Sequence, residues 1–244
     1  MTDNLKKRRP YFQWAAFLLV VAAATYGGYQ AMIHPNTSLP PEWNPTVPLN
    51  VDHKLSPLTM WKLRNALGDA EQCHSALANI AKLTRLPDFE KDELCHIRDQ
   101  VELNAIGQSK VLPFNTRCQM VLRMAMWEKH GIQPAAQKHF QIPVGEIKHY
   151  SSYSCRKIRT VGGDNTRMST HATAEAIDVS GFVLKDGSRI DLKSGWNGSA
   201  QEAAFLRDVR NSACDWFKLT LSPDFNALHS DHFHLQHKGW NACR

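Results

Sequence analysis

Histidines are concentrated near the C-terminal end of the chain. Four of the twelve lie within residues 229–237, namely His229, His232, His234 and His237. In the segment Asp231–Leu235, with the sequence DHFHL, two of them are two residues apart. On an extended strand such residues share a face, so both imidazoles would point into one cleft while the intervening Phe233 packs on the other side. Converging imidazoles suit a borderline-soft divalent metal, although the same spacing also occurs in surface pairs and in cores.

A second group of polar residues lies upstream, in the segment 169–178 with the sequence STHATAEAID. An apolar run, 179–184, follows it directly and predicts a buried strand that Asp178 opens. Alanines at alternate positions let the preceding loop fold back tightly, which would bring His171 to the same point as Asp178. A carboxylate among apolar neighbours needs a partner. His171 would be that partner of Asp178, and the alternatives are a nearby arginine or turn amides.

Taken together, His171, Asp178 and His234 form a set of two histidines and one carboxylate. This is the composition of a catalytic zinc site, which leaves a fourth position for water. The three residues therefore predict a Zn²⁺ centre.

The pattern S-x-H-x(6)-D followed by H-x-H resembles the zinc peptidases of the LAS group, which includes D-Ala-D-Ala carboxypeptidases and dipeptidases and murein endopeptidases. Further segments are similar to the bacterial extensin-like C-terminal domain, over roughly Ser56 to Cys243. These segments are Tyr153–Arg156, Ser169–Asp178, Gly181–Phe182, Asp186–Gly187, Phe205–Arg207, Ala213–Cys214, Ser222–Asn226 and Asp231–His234.

The resemblance implies an α+β fold with a LAS-type metallopeptidase core. It also implies a Zn²⁺ held by His171, Asp178 and His234, and the hydrolysis of a peptide bond in the stem or cross-link peptides of peptidoglycan. Zinc lowers the pKa of bound water and polarises a carbonyl, which suits it to this chemistry.

Two residues are candidates for the general base that this hydrolysis needs. Asp231, three residues before His234, matches the acidic base of the vancomycin-resistance dipeptidases, and His232 matches the accessory histidine of the H-x-H murein endopeptidases. Strand parity favours His232 if the strand extends through Asp231, whereas a bulge or a strand start there reverses the preference, and both residues acting together is a third alternative.

Arg156 stands where related carboxypeptidases carry an arginine ahead of the S-x-H motif. It would bind a developing oxyanion or a substrate carboxylate, or else pair with a surface acid. The chain also departs from the family pattern, with Ala174 at a common glycine and Thr170 at a common acidic residue. His229 and His237 have no place in the metal set and are expected at the surface or behind the ligands.

Helices and short strands alternate along the chain and would position these residues. Hydrophobic periodicity predicts helices over 56–80, 115–130 and 200–218, the last opened by a capping box at Ser199 and Glu202. Strands are predicted over 147–150, 158–161, 176–184, 189–192 and 219–221, besides the histidine segment. The expected fold class is α+β, with helices packed on a small, mainly antiparallel sheet.

The N-terminal region predicts export. No residue from Tyr11 to Ile33 carries a formal charge, and as a helix this stretch would span about 34 Å, enough to cross a bilayer. The basic run 6–9 precedes it, so a retained anchor would leave the N-terminus in the cytoplasm and the rest in the periplasm, at a bacterial inner membrane. The alternative is a signal peptide cleaved near Ala24.

All six cysteines follow this apolar stretch, and an even number in an exported domain indicates disulfides. Sequence cannot choose the pairing; proximity alone favours Cys73–Cys95, Cys118–Cys155 and Cys214–Cys243.

The predicted organisation has five parts. They are a basic cytoplasmic tail over 1–10, a transmembrane anchor over 11–33, a proline-rich spacer over 34–50, a helical part over 51–112 and the extensin-like, LAS-type domain over 113–244.

Composition excludes several classes. Apolar residues make up 43% of the 244 residues and charged residues 21%, which excludes wholesale disorder. Much of the net charge of +6 comes from the basic run at 6–9, so the remainder is too mild to indicate nucleic acid. The expected partners are peptidoglycan peptides and the membrane. The alternative function is a peptidoglycan-binding module that uses the same pocket without catalysis.

Overall fold

The computed structural model describes residues 9–244, apart from the side chains of Arg9, Pro10 and Asp164. Residues 1–8, with most of the predicted basic tail, lie outside the described part. The chain divides into two compact units. The first comprises the residues up to Pro48 together with His53–Lys62, and the second comprises Leu49–Asp52 together with Leu63–Arg244.

The first unit contains one long helix, α1, at Arg9–Ile33. Its segment Tyr11–Ile33 is long and apolar enough to cross a membrane, as an anchor or as a signal sequence, and none of its most apolar window is buried within the protein. The proline-rich segment that follows contains a short 3-10 turn at Pro41–Trp43.

The second unit is α+β. Its helices, the first of which begins in the preceding unit, are α2 Thr59–Gly68, α3 Ala70–Leu77, α4 Cys118–Trp127, α5 Gln133–Phe140, α6 Leu192–Gly195 and α7 Ala200–Trp216. A π-helical turn at Glu128–Ile132 joins α4 to α5. The strands are β1 Ala81–Arg85, β2 Phe89–Asp92, β3 Cys95–Ile97, β4 Gln100–Ile106, β5 Ser109–Arg117, β6 Val144–His149, β7 Lys157–Thr160, β8 Gly163–Met168, β9 Ala176–Leu184, β10 Arg189–Asp191, β11 Leu219–Leu221, β12 Phe233–Gln236 and β13 Ala242–Cys243.

The main sheet has nine strands in the order β1-β4-β5-β6-β9-β12-β11-β13, with β10 paired to β9. It is mixed, because β5 pairs with β6 and β11 with β13 in parallel while the other pairs are antiparallel. The expectation of a small sheet was therefore wrong. It failed because the helices of the segment 51–112 end at Leu77, and the rest of that segment contains β1, β4 and the start of β5, which extend the sheet.

The hydrophobic core lies where helices cover one face of this sheet. Trp127 of α4, Phe182 of β9 and Phe205 of α7 are fully buried, and their rings meet edge to face at centroid distances of 5.5–6.2 Å. The predicted capping box at the start of α7 is confirmed, since Ser199 and Glu202 each accept from the backbone of the other. The core anchors the strands that carry the site.

A β-bulge in β9 determines which of its side chains point to the core and which point to the opposite face, where the site lies. Lys148 of β6 pairs with Gly181, whereas the next residue, His149, pairs with Val179, so Ser180 is one residue in excess. A bulge of this kind shifts which side chains point to each face. As a result, Val179 and Phe182 both belong to the core, while Asp178 points away from it.

Three disulfides close the second unit, at Cys73–Cys118, Cys95–Cys155 and Cys214–Cys243. The last confirms the pairing expected from proximity, and the other two expected pairs were wrong. Proximity failed because α3 packs on α4, while the hairpin of β2 and β3 reaches forward to the segment just before Arg156.

Removal of the Cys95–Cys155 disulfide is expected to destabilise the domain. The bond links residues 60 apart, and loop-closure entropy for such a loop corresponds to about 4 kcal/mol of unfolding free energy. Urea unfolding of the full chain with Cys95→Ser and Cys155→Ser, compared with the unmodified chain, measures it. A loss below ~1 kcal/mol would contradict this expectation.

Candidate metal centre

Three side chains converge on the face of the sheet away from the core. Nε2 of His171 lies 3.2 Å from Oδ2 of Asp178 and 3.2 Å from Nδ1 of His234. Nδ1 of His234 lies 2.8 Å from Oδ1 of Asp178. The structure thus brings together the three residues that the sequence predicts as metal ligands, with one ligand atom from each within 4.8 Å of the others.

His171 is held by a short 3-10 turn, Thr170–Thr173, that begins at Ser169. The Ser169 hydroxyl caps the turn by accepting from the backbone N–H of His171 at 3.3 Å. On the ring, Nδ1 donates to the backbone carbonyl of Ser152 at 2.9 Å. A ring that donates from Nδ1 presents the Nε2 lone pair, so this hydrogen bond selects the tautomer that can bind a metal.

Asp178 and His234 face each other across paired strands, β9 and β12, where they are direct partners in the register. On the far side of the His234 ring, Nε2 lies 2.7 Å from the side-chain amide of Gln236. The atom of this amide that faces the ring is its nitrogen, Nε2, which is a donor. With the amide turned by 180°, its oxygen would accept the Nε2 proton of His234 and leave Nδ1 free to bind a metal. Gln236 shares the site face because it follows His234 by two residues on the strand.

The donor set fits a zinc ion. Two ligand atoms about 2.0 Å from a tetrahedral zinc lie about 3.3 Å apart, close to the separations of 2.8–3.2 Å measured here. Burial alone would raise the pKa of Asp178, but hydrogen bonds from His171 and His234 outweigh it and hold the pKa well below its ordinary value. The carboxylate is therefore ionised at neutral pH, as metal ligation requires.

Asp231 and His232 form a linked pair beside this cluster. Strand β12 begins at Phe233, so the parity argument does not apply to either residue. His232 Nδ1 lies 2.8 Å from Asp231 Oδ1, and His232 Nε2 lies 3.6 Å from Asp178 Oδ1. The second oxygen of Asp231 accepts from the Tyr150 hydroxyl at 3.1 Å. Asp231 thus orients His232, whose far nitrogen faces the ligand cluster.

The two remaining C-terminal histidines differ in their surroundings. His229 lies near the site, with ring centroids 5.3 Å from His232 and 5.8 Å from His234. Burial, followed by the charges of His234 and His232, lowers the pKa of His229 to about 4, so it is neutral at pH 7. His237 lies away from the ligands and accepts from Arg123 Nε at 2.9 Å, which is a structural contact.

Arg156 lies next to the loop that carries His171, since its backbone carbonyl accepts from Ser169 N–H at 3.0 Å. Its charge contributes to the lowered pKa of His229. Among the side chains that the structure describes, no carboxylate pairs with its guanidinium, which contacts only the Lys157 carbonyl, at 3.2 Å. The guanidinium is therefore available to an anionic group at the site.

The two departures from the family pattern have structural counterparts. Ala174 adopts the left-handed conformation with φ of +50°, which glycine adopts without strain. The hydroxyl of Thr170 is buried and has no hydrogen-bond partner among the described residues. Thr170 opens the turn that holds His171, and Ala174 follows that turn directly.

Sequence reasoning missed three residues that contact the predicted site, namely Tyr150, Ser152 and Gln236. The sequence could have indicated Gln236, because it follows His234 by two residues and alternate residues of a strand share a face. Ser152 acts through its backbone carbonyl, and Tyr150 acts from the end of a strand distant in sequence, so neither has a signal in residue spacing.

The α+β fold and the convergent histidine and aspartate side chains define a domain with a candidate metal centre. Residues 71–244 match the family model described as "Extensin-like protein C-terminus". The match covers more than half of the chain, which therefore belongs to this family. Neither a curated protein nor a solved structure shows a significant match to the chain.

Proposed function

We propose that this protein is a zinc-dependent peptidase that hydrolyses a peptide bond in peptidoglycan stem or cross-link peptides. The observation that carries the proposal is the placement of the Asp231–His232 pair. A histidine oriented by a carboxylate faces a cluster of two histidines and one aspartate, with 3.6 Å between His232 Nε2 and Asp178 Oδ1. A metal-binding site without catalysis would not need an oriented base beside the ligands.

His171, Asp178 and His234 would hold the zinc, as in the LAS peptidases that the motifs resemble. Bound zinc supplies a Lewis acid that polarises the scissile carbonyl and lowers the pKa of water. His232 then accepts a proton from the attacking water at Nε2, as a new C–O bond forms. The same imidazole delivers this proton to the leaving nitrogen as the C–N bond breaks, which yields a carboxylate and an amine. Asp231 keeps the ring in the required tautomer throughout.

The N-terminal helix supports a location at a cell wall. We propose that α1 is a retained signal anchor in a bacterial inner membrane, with the basic run 6–9 on the cytoplasmic side and the domain in the periplasm. Cleavage near Ala24 would deliver the same domain to the same compartment. The three disulfides support either route, because disulfides persist in oxidising compartments.

The proposal is tested with purified muropeptides and the full chain in detergent, loaded with zinc or treated with a chelator. We expect new primary amine to appear with zinc and to disappear with the chelator, and the product masses to identify the bond. Retention of muropeptides without any release of amine would instead support a binding module, and would overturn the peptidase.

Arg156 is expected to contribute to turnover. If its guanidinium binds the developing oxyanion or a substrate carboxylate, Arg156→Ala will lower kcat/KM by about 100-fold with the zinc content unchanged. Arg159→Ala removes a similar charge from an exposed position on β7 and serves as the matched control. Equal activity of the two variants on muropeptides would exclude the role assigned to Arg156.

A further inference from the structure

A cavity lies at the other end of β6 from the candidate metal centre. Val144, at the start of β6, lies beside the cavity. His149, at the other end of the strand, is followed by Tyr150, which contacts the site. The five residue-to-residue intervals between Val144 and His149 span about 17 Å. The cavity has a volume of about 510 Å³. Its polar lining includes Glu128, Lys129 and Gln137, and its apolar walls include Ile80 and two prolines, Pro134 and Pro143.

Glu128 places a buried carboxylate against this cavity, with 1% of its surface exposed. One oxygen, Oε1, is saturated, since it accepts from Gln108 N–H at 3.1 Å, from Ser109 Oγ at 3.1 Å and from Gln133 Nε2 at 2.7 Å. In the part of the chain that the structure describes, no donor reaches Oε2 and no cation pairs with the carboxylate. The neighbouring Lys129 is engaged with Asp52, at 2.8 Å.

The backbone around Glu128 is shaped to admit its carboxylate. Glu128 opens the π-helical turn, a wide turn of a kind that often marks functional sites. Opposite it, Gly107 has a φ of +53°, and a Cβ at this position would lie 2.1 Å from Glu128 Oε2. Only glycine leaves room for the carboxylate here. The β4–β5 turn and the π-helical turn thus lie on either side of the unpaired oxygen, which remains open to the cavity.

Glu128 is almost fully buried, but Oε2 is not among its fully enclosed atoms, so a donor in the cavity can reach it. A carboxylate in such surroundings is stabilised by a donor or by a proton. Burial raises the pKa of Glu128, against the opposing effect of its hydrogen bonds. The cavity does not offer a divalent metal enough ligands. Among the described residues, Glu128 belongs to no cluster of three His, Cys, Asp or Glu side chains that could hold an ion. A single positive group with N–H donors matches one free carboxylate oxygen in a cavity that Gln137 also lines.

We propose that this cavity is a binding site for a small organic cation, a protonated primary amine, whose ammonium group donates to Glu128 Oε2. The carbon chain of the amine would lie against Ile80 and the prolines, and the Gln137 amide oxygen would accept a second ammonium proton. The proposal is independent of the peptidase activity.

The test uses the ¹⁵N-labelled full chain in detergent, titrated with propylammonium chloride and followed through the backbone amide of Gln108. We expect a saturable shift, at least about tenfold weaker affinity in Glu128→Gln, and unchanged affinity in Glu146→Gln, which alters a nearby exposed carboxylate. Glu128→Gln keeps an oxygen for the three existing donors. Equal binding of 1-propanol or tetramethylammonium, equal binding by Glu128→Gln, or no saturable shift would each overturn the proposal.

A second measurement applies if Glu128→Gln does not fold. In the unmodified chain, the ¹³C resonance of the Glu128 carboxyl reports its pKa, and saturating propylammonium is expected to lower that pKa because the cation stabilises the ionised form. An unchanged pKa would overturn the proposal. Zinc content and release of amine from muropeptides are measured separately, so this proposal and the peptidase can fail independently.

Discussion

Replacement of Asp178 by asparagine is expected to abolish both zinc binding and peptide hydrolysis. Asp178 contacts both histidines of the predicted ligand set and supplies its only carboxylate. Asparagine keeps the shape but removes the negative charge, so zinc affinity is expected to fall by more than the ~10–100-fold typical of residues behind the ligands. Competition with a chromogenic chelator measures the affinity, and amine release from muropeptides measures the activity.

The matched control is Asp191→Asn. Asp191 lies on β10, which pairs with β9, and its carboxylate pairs with Lys148 at 3.0 Å instead of facing the cluster. It should retain both zinc and activity. If Asp178→Asn bound zinc as tightly as the unmodified chain, the carboxylate would not be a ligand.

Replacement of His232 by alanine is expected to separate catalysis from metal binding. If Nε2 of His232 transfers the proton, its loss will lower kcat by about 10²–10⁴-fold, with zinc affinity and KM little changed. Asp231→Asn removes the charged acceptor that orients the ring and is expected to have a smaller effect in the same direction. Steady-state kinetics on a muropeptide of defined sequence, with zinc content checked for each variant, measures both.

His229 provides the comparison within the same site, because its ring also lies beside those of His232 and His234. It hydrogen-bonds Asn226 instead of an acid, so it has no carboxylate to orient it as a base. His229→Ala should therefore lose much less activity than His232→Ala. The reverse order would assign the base to His229.

The parts of the fold that the sequence predicts are those with a strong local signal. Strand β9 has the predicted limits, Ala176–Leu184, because a continuous apolar run follows a turn-forming loop. Helix α7 begins where the capping box places it. The approach of His171 to Asp178 was predictable because it requires only a tight loop before this strand. The alanines between the two residues are small enough to allow such a loop.

The parts that were missed depend on contacts between distant segments. Strands β4 and β5 carry polar residues among the apolar ones, and their burial comes from pairing that no local pattern reveals. Pro113 also argues against a strand, because proline has no N–H to donate to a neighbouring strand. β5 accommodates it because the parallel pairing with β6 involves Lys110 and Val111, which precede the proline. The pairing of Asp231 with His232 depends on where β12 begins, which the sequence left open.

X-ray absorption at the zinc edge, on the full chain loaded with one equivalent of zinc, would identify the atoms that bind the metal. The structure predicts two imidazole nitrogens and oxygen donors at about 2.0–2.2 Å, with no sulfur, because all six cysteines are in disulfides. His171→Ala and His234→Ala should each remove one imidazole from the spectrum or abolish binding. A thiolate at about 2.3 Å, or a spectrum unchanged in both variants, would contradict the assignment of the metal centre to His171, Asp178 and His234.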